Sequence, residues 1–139
     1  MIKYLLDINV LIHVLRNRPG AAGLTHRVRG LPSDTGAIYA ITREELIFGA
    51  RFSKNPDEQT RGLREFLKPF PSLPDNDAAA NQAAGIRADL GRKGTPIGPH
   101  DVQLAAIALT HNLTLVTHNT AEFGRVEGLR VEDWELVAG

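Results

Sequence analysis

Helices alternating with short apolar strands predict an α/β domain built on a central, mostly parallel sheet. Two observations carry this prediction. Runs such as Tyr4-Leu5-Leu6 and Leu113-Thr114-Leu115-Val116-Thr117 have strand length and character, and polar or turn residues bound them. The stretches between such runs are long enough for crossover helices, and the segment with Leu63, Phe66, Leu67 and Phe70 has the i, i+3, i+4, i+7 spacing of an amphipathic one. The chain has 139 residues, of which 42% are hydrophobic and 23% charged, so it can bury one substantial core. No linker, repeat or low-complexity tract interrupts it, and residues 1–139 are read as a single domain.

In chain order, residues 2–6 form a short strand buried on both faces, as expected for the centre of a parallel sheet. Helix 1 follows directly, with Val10, Leu11, Val14 and Leu15 on one side, and Arg18-Pro19-Gly20 stops it. A second helix lies within 21–31. After the turn cluster 32–36, Ala37-Ile38-Tyr39-Ala40-Ile41 is the next strand, and a helix runs from Thr42 to about Phe52. The amphipathic helix around Leu63 comes next, then a brief extended piece at Ser72-Leu73-Pro74. An Ala-rich helix covers 77–90, and a Gly/Pro loop covers 91–100. A helix over 101–110 leads into the strand 113–117, and Leu129-Arg130-Val131 makes a last strand with Trp134 as its anchor.

Composition narrows the functional classes. The absence of cysteine rules out disulfides and thiolate metal sites and fits a reducing cytoplasm. The apolar start is broken by Asp7, Asn9 and His13, unlike a secretory signal, and no segment is long enough to span a bilayer. The expectation is a cytoplasmic protein with no membrane partner. Net charge is zero, but residues 1–68 carry 11 Lys/Arg against 7 Asp/Glu, whereas residues 69–139 carry 5 against 9. Neutrality argues against strong non-specific nucleic-acid binding while leaving room for a basic rim around an acidic site.

Three carboxylates stand where a strand or loop gives way to a helix: Asp7, Glu45 and Asp101. Each has a structural explanation. Asp7 can be the N-cap of helix 1. Thr42-x-x-Glu45 has the form of a capping box, with Ile41 and Leu46 as its hydrophobic staple. Asp101 can be an N-cap or first-turn acid. Each also has a functional one, because ligands of parallel sheets bind beyond the carboxyl ends of the strands. Two carboxylates about 5 Å apart repel by about 3 kcal/mol at an effective dielectric near ~20, so a fold that gathers three of them needs a hard cation such as Mg²⁺ or Mn²⁺.

The ordered motifs resemble PIN-domain nucleases. Leu5-Leu6-Asp7-Ile8-Asn9-Val10 resembles the family's opening motif, and Ile41-Thr42-Arg43-Glu44-Glu45-Leu46 the second. Lys93-Gly94-Thr95-Pro96-Ile97-Gly98-Pro99-His100-Asp101 and Leu115-Val116-Thr117-His118-Asn119-Thr120-Ala121-Glu122-Phe123 resemble the third and fourth, and Gly128-Leu129-Arg130-Val131-Glu132-Asp133-Trp134 the close. The likeness is strongest to VapC toxins of type II toxin–antitoxin pairs, and the Gly-Thr-Pro-Ile-Gly-Pro loop is similar to that of the enteric group that cuts initiator tRNA in its anticodon stem-loop.

This resemblance implies a three-layer α/β/α PIN fold and an Mg²⁺- or Mn²⁺-dependent endoribonuclease acting on tRNA. It also implies a VapB-type antitoxin partner, a homodimeric toxin and higher toxin–antitoxin assembly. Carried over residue by residue, Asp7, Glu45 and Asp101 are the acidic metal ligands, and Asn119 takes the catalytic corner where many relatives have a fourth Asp. Asn9 and Thr117 support the site, and Arg92 and Lys93 are candidate RNA contacts. Three departures bear on metal stoichiometry: Ile8 for the usual Thr, Ala40 where a Ser is common, and neutral Asn119. The expected site therefore holds three acids. His100 and His118 are read as neighbours of the acids, and His13, His26 and His111 lack metal-ligand spacing.

Two other classes compete. A haloacid-dehalogenase-like phosphatase also begins with a strand ending in Asp, but it wants a second Asp two residues on, where this chain has Asn9. A PIN-like module that binds antitoxin or RNA without cleaving is the remaining alternative, and metal-dependent cleavage separates it from an enzyme.

Overall fold

In the computed structural model, which describes residues 1–136, five short strands form one parallel sheet in the order β3-β2-β1-β4-β5. They are β1 (Tyr4–Leu6), β2 (Gly36–Tyr39), β3 (Ser72–Leu73), β4 (Thr114–Val116) and β5 (Val131–Glu132). β1 is central, with Leu5 opposite Ala37 of β2 and Leu115 of β4. The helices are α1 (Ile8–Leu15), α2 (Ala22–Arg29), α3 (Ala40–Arg51), α4 (Pro56–Leu67), α5 (Asp77–Arg92), α6 (Pro99–Thr110) and α7 (Thr120–Phe123), and a 3₁₀ turn follows at Trp134–Leu136.

The pleat sorts successive strand residues into two cores, because neighbouring side chains point to opposite faces. Leu5, Ala37, Tyr39 and Leu115 pack on one face against Ile86 and Leu90 of α5 and the buried side of α6. Leu6, Ile38 and Val116 pack on the other against Val10, Leu11 and Val14 of α1, Leu46 of α3 and Leu63 and Leu67 of α4. Full burial on both faces explains why the strands read as continuous apolar runs. The result is the expected three-layer α/β/α arrangement.

Several boundaries differ from the sequence reading. β2 ends at Tyr39 and α3 starts at Ala40, two residues earlier than expected. Thr42 is therefore inside the helix, fully buried, with its hydroxyl unpartnered, so the capping box with Glu45 does not form. α6 begins at Pro99, which makes Asp101 a first-turn acid and gives the N-cap to Gly98. The single turn α7 has no counterpart in the sequence reading. α5 closes where Gly94, at φ +70°, lets the Thr95 N–H reach the Leu90 carbonyl at 3.0 Å.

Candidate metal centre

β1 and β4 are adjacent and parallel, so their carboxyl ends bring Asp7 and Thr117 to one edge of the sheet. Asp7 is buried, and both of its oxygens are held: Oδ1 accepts the Ile8 N–H at 2.7 Å, capping α1, and Oδ2 accepts the Thr117 hydroxyl at 2.8 Å. The Thr117 oxygen in turn accepts the Asn119 N–H at 3.0 Å. The support for Asp7 thus comes from 110 residues away in the chain, where Ile8 offers no hydroxyl.

Asp101 projects from the first turn of α6 into the same region. Its carboxyl is pushed up from the ordinary 3.8 to about 6 by burial, by a hydrogen bond with Glu122, and by the negative charges of Asp7 and Glu122, with His100 acting in the opposite sense. Asp7 and Glu122 are thus near enough to Asp101 to act on its charge. Among the described residues no Lys or Arg forms an ion pair with any of them. Hard oxygen donors grouped without a Lys or Arg partner among the described residues fit a divalent cation that prefers oxygen ligands.

Glu122 is a residue near the site that the sequence reading left out. Asn119 is exposed at the N-cap of α7, and its Nδ2 donates to Glu122 Oε2 at 3.2 Å. The corner is therefore an Asn–Glu pair, with the acid reaching Asp101. The i, i+3 spacing of Asn119 and Glu122 was the available signal, and it needs α7 to be meaningful.

Glu45 approaches from α3 and is exposed. Its Oε1 lies 3.4 Å from His100 Nε2, close enough for charge pairing but without hydrogen-bond geometry. It meets the other acids through the residue preceding Asp101. On the same side, Tyr39 donates its hydroxyl to Asp75 Oδ2 at 2.7 Å, and burial together with that acceptor pushes its phenol well above the usual range. Asn9 is exposed in the first turn of α1. Arg92 is exposed at the end of α5, whereas Lys93 is paired with Asp89 at 3.2 Å.

Beside the site runs an apolar groove between α1, α3 and α4, lined by Ile8, Ile12, Leu46, Phe48, Leu63 and Phe66. Glu45 also lines it, so the groove opens towards the acids. Phe48, 63% exposed, stacks on Phe52, 81% exposed and outside the groove's lining, with ring centroids 5.5 Å apart. Large exposed aromatics of this kind mark interaction surfaces.

Residues 4–129 match the family model for the PIN domain. The chain is 39% identical to the tRNA(fMet)-specific endonuclease VapC of Shigella flexneri, over 96% of this chain and 99% of that protein. It is 37% identical, with the same coverage, to the tRNA(fMet)-specific endonuclease VapC of Salmonella typhimurium. The crystal structure of DNA-bound VapBC from Salmonella typhimurium superposes with a TM-score of 0.80 at 33% identity, covering 96% of this chain and 99% of that one. Sequence motifs, sheet order and similarity over nearly the full length agree: this chain belongs to the PIN-domain family, in its VapC branch.

Proposed function

We propose that this protein is a metal-dependent endoribonuclease toxin that hydrolyses RNA phosphodiester bonds in the cytoplasm, with initiator tRNA as substrate. The observation that carries the reading is the grouping of Asp7, Asp101 and Glu122 near the carboxyl edge of the sheet, where among the described residues no Lys or Arg forms an ion pair with them. The substrate follows from the relatives named as tRNA(fMet)-specific endonucleases.

Asp7 and Asp101 would be the principal residues to hold the metal, with Glu45 contributing from α3. When bound, Mg²⁺ or Mn²⁺ supplies Lewis-acid polarisation of the phosphate and activation of the attacking water. Thr117 fixes the orientation of Asp7, the supporting role expected of a residue behind a ligand. Asn119 holds Glu122 beside Asp101, where Glu122 accepts a proton from the water. The first-turn N–H groups of α6 face the region of Asp101 and favour an incoming phosphate. In-line attack by water leaves a 5′-phosphate and a 3′-hydroxyl. Arg92 remains a candidate phosphate contact outside this core.

The partner is a VapB-type antitoxin, by analogy with the VapBC complex of Salmonella typhimurium. The groove between α1, α3 and α4 suits an amphipathic antitoxin segment, with Phe48 and Phe52 as anchors. Because Glu45 lines the groove, its occupant comes close to the acids. Sequencing the 5′ ends of cellular RNA after induction tests the substrate. New ends confined to the initiator tRNA anticodon loop, absent with Asp7→Ala, are expected. Identical ends with Asp7→Ala, or none at all, overturn the reading.

A further inference from the structure

A second group of ligand-type side chains lies at the ends of β4 and β5. His118 follows β4, Asp133 follows β5, and Glu135 sits in the 3₁₀ turn; one ligand atom from each falls within 4.8 Å of the others. Their orientation is already set. Asp133 Oδ1 accepts the Glu135 N–H at 2.9 Å, which leaves Oδ2 2.9 Å from His118 Nδ1. Glu135 Oε1 pairs with His13 Nδ1 at 3.2 Å, which leaves Oε2 3.5 Å from the same His118 nitrogen. The other nitrogen of His13 lies 3.2 Å from an Arg18 guanidinium nitrogen, which can only donate.

Asp133 thus uses one oxygen for an orienting hydrogen bond and turns the other to His118, and Glu135 divides its two oxygens between the charge contact with His13 and the same centre. This is the supporting pattern found behind metal ligands. The side chains of Asp133 and Glu135 are only 6% and 17% exposed, and among the described residues their ion-pair partners are histidines alone. Spacings of 2.9 and 3.5 Å match edges of a coordination shell with bonds of about 2.1 Å. Trp134, 2% exposed, packs edge-on to Tyr4 at 5.0 Å and under Arg27 at 4.1 Å, which fixes the backbone between the two acids.

We propose that His118 Nδ1, Asp133 Oδ2 and Glu135 Oε2 form a second cation site, separate from the acids around Asp101, for a first-row transition ion such as zinc. The imidazole favours such an ion over Mg²⁺. On binding, His118 gives up the Nδ1 proton that it donates to Asp133, the proton leaving to solvent, and offers the Nδ1 lone pair to the metal with Nε2 carrying the ring's remaining proton; its exposed ring, 61% accessible, leaves the remaining positions to water. The ion joins β4, β5 and, through Glu135 and His13, α1.

The test uses full-length, chelator-stripped protein dialysed against zinc, with bound metal counted, and cobalt absorption as a second readout. An Asp7→Asn/Asp101→Asn double variant, which disables the other acids, is expected to retain one zinc, a cobalt visible band and a zinc-dependent rise in melting temperature. His118→Ala and Asp133→Asn, each added to that background, should lose all three. The amide oxygen introduced by Asp133→Asn can still accept the Glu135 N–H, so folding is preserved. No zinc on the double variant, or zinc retained by both added variants, overturns the proposal.

Discussion

Replacing Asp101 with Asn should stabilise the metal-free protein at neutral pH while abolishing its activity. The folded carboxyl titrates at about 6 against an ordinary 3.8. At about 1.4 kcal/mol per pKa unit, this sets a ceiling near ~3 kcal/mol. Solvent screening of a partly buried group reduces it to about 1–2 kcal/mol. The sign follows from the raised folded value. Protonated Asp101 is tolerated, so the stability is fully present below about pH 4 and is lost as pH rises through about 6. Asn behaves as the protonated acid at every pH. Thermal unfolding in chelator should therefore give coincident curves near pH 4 and a variant that melts roughly 3–8 °C higher near pH 7. Adding Mn²⁺ at neutral pH should narrow or reverse the gap, because only wild type gathers the ligands. A variant less stable than wild type at neutral pH in chelator, or a gap that ignores pH, would refute the account of a charge-frustrated site.

Glu122→Gln removes a hydrogen bond and a charge that both raise Asp101, so the acidic limb of the pH–rate profile should move to lower pH, while kcat falls about 10²-fold if Glu122 takes the proton. Thr117→Val leaves Asp7 Oδ2 without its buried donor; denaturant unfolding should show a loss of about 1–3 kcal/mol, with weaker metal binding by calorimetry. Paired Phe48→Ser and Phe52→Ser changes should weaken antitoxin binding by about 2 kcal/mol, roughly 30-fold in Kd, and leave RNA cleavage by the free toxin intact, since both rings are exposed and remote from the folding core.

What was legible in the sequence follows from what is local. Leu5-Leu6, Ala37-Ile38 and Leu115-Val116 read as strands because both sheet faces are buried, so no polar residue interrupts them. Asp7 and Asp101 were legible because strand ends and helix starts advertise themselves through caps and prolines. The start of α3 is misread because Ala40 and Ile41 continue an apolar strand as readily as they begin a helix. That slip turns Thr42 and Glu45 into a capping box that does not exist. Glu122 escapes notice because one helical turn has no periodicity to detect, and only that turn aims it at Asp101. The His118, Asp133 and Glu135 cluster, with His13 behind it, is assembled from three distant segments, so no spacing rule could reveal it.

Asp7 and Asp101, with Glu45 contributing and Glu122 beside them as proton acceptor, hold a divalent cation for RNA hydrolysis. Cleavage of purified initiator tRNA by chelator-stripped protein tests it most directly, with Mg²⁺ or Mn²⁺ added back and the product ends analysed. The account predicts no cleavage without metal, restored cleavage with 5′-phosphate and 3′-hydroxyl ends, and an inert Asp101→Asn variant under every condition. Cleavage that persists in chelator, or an Asp101→Asn variant that cuts at the wild-type rate, would contradict it.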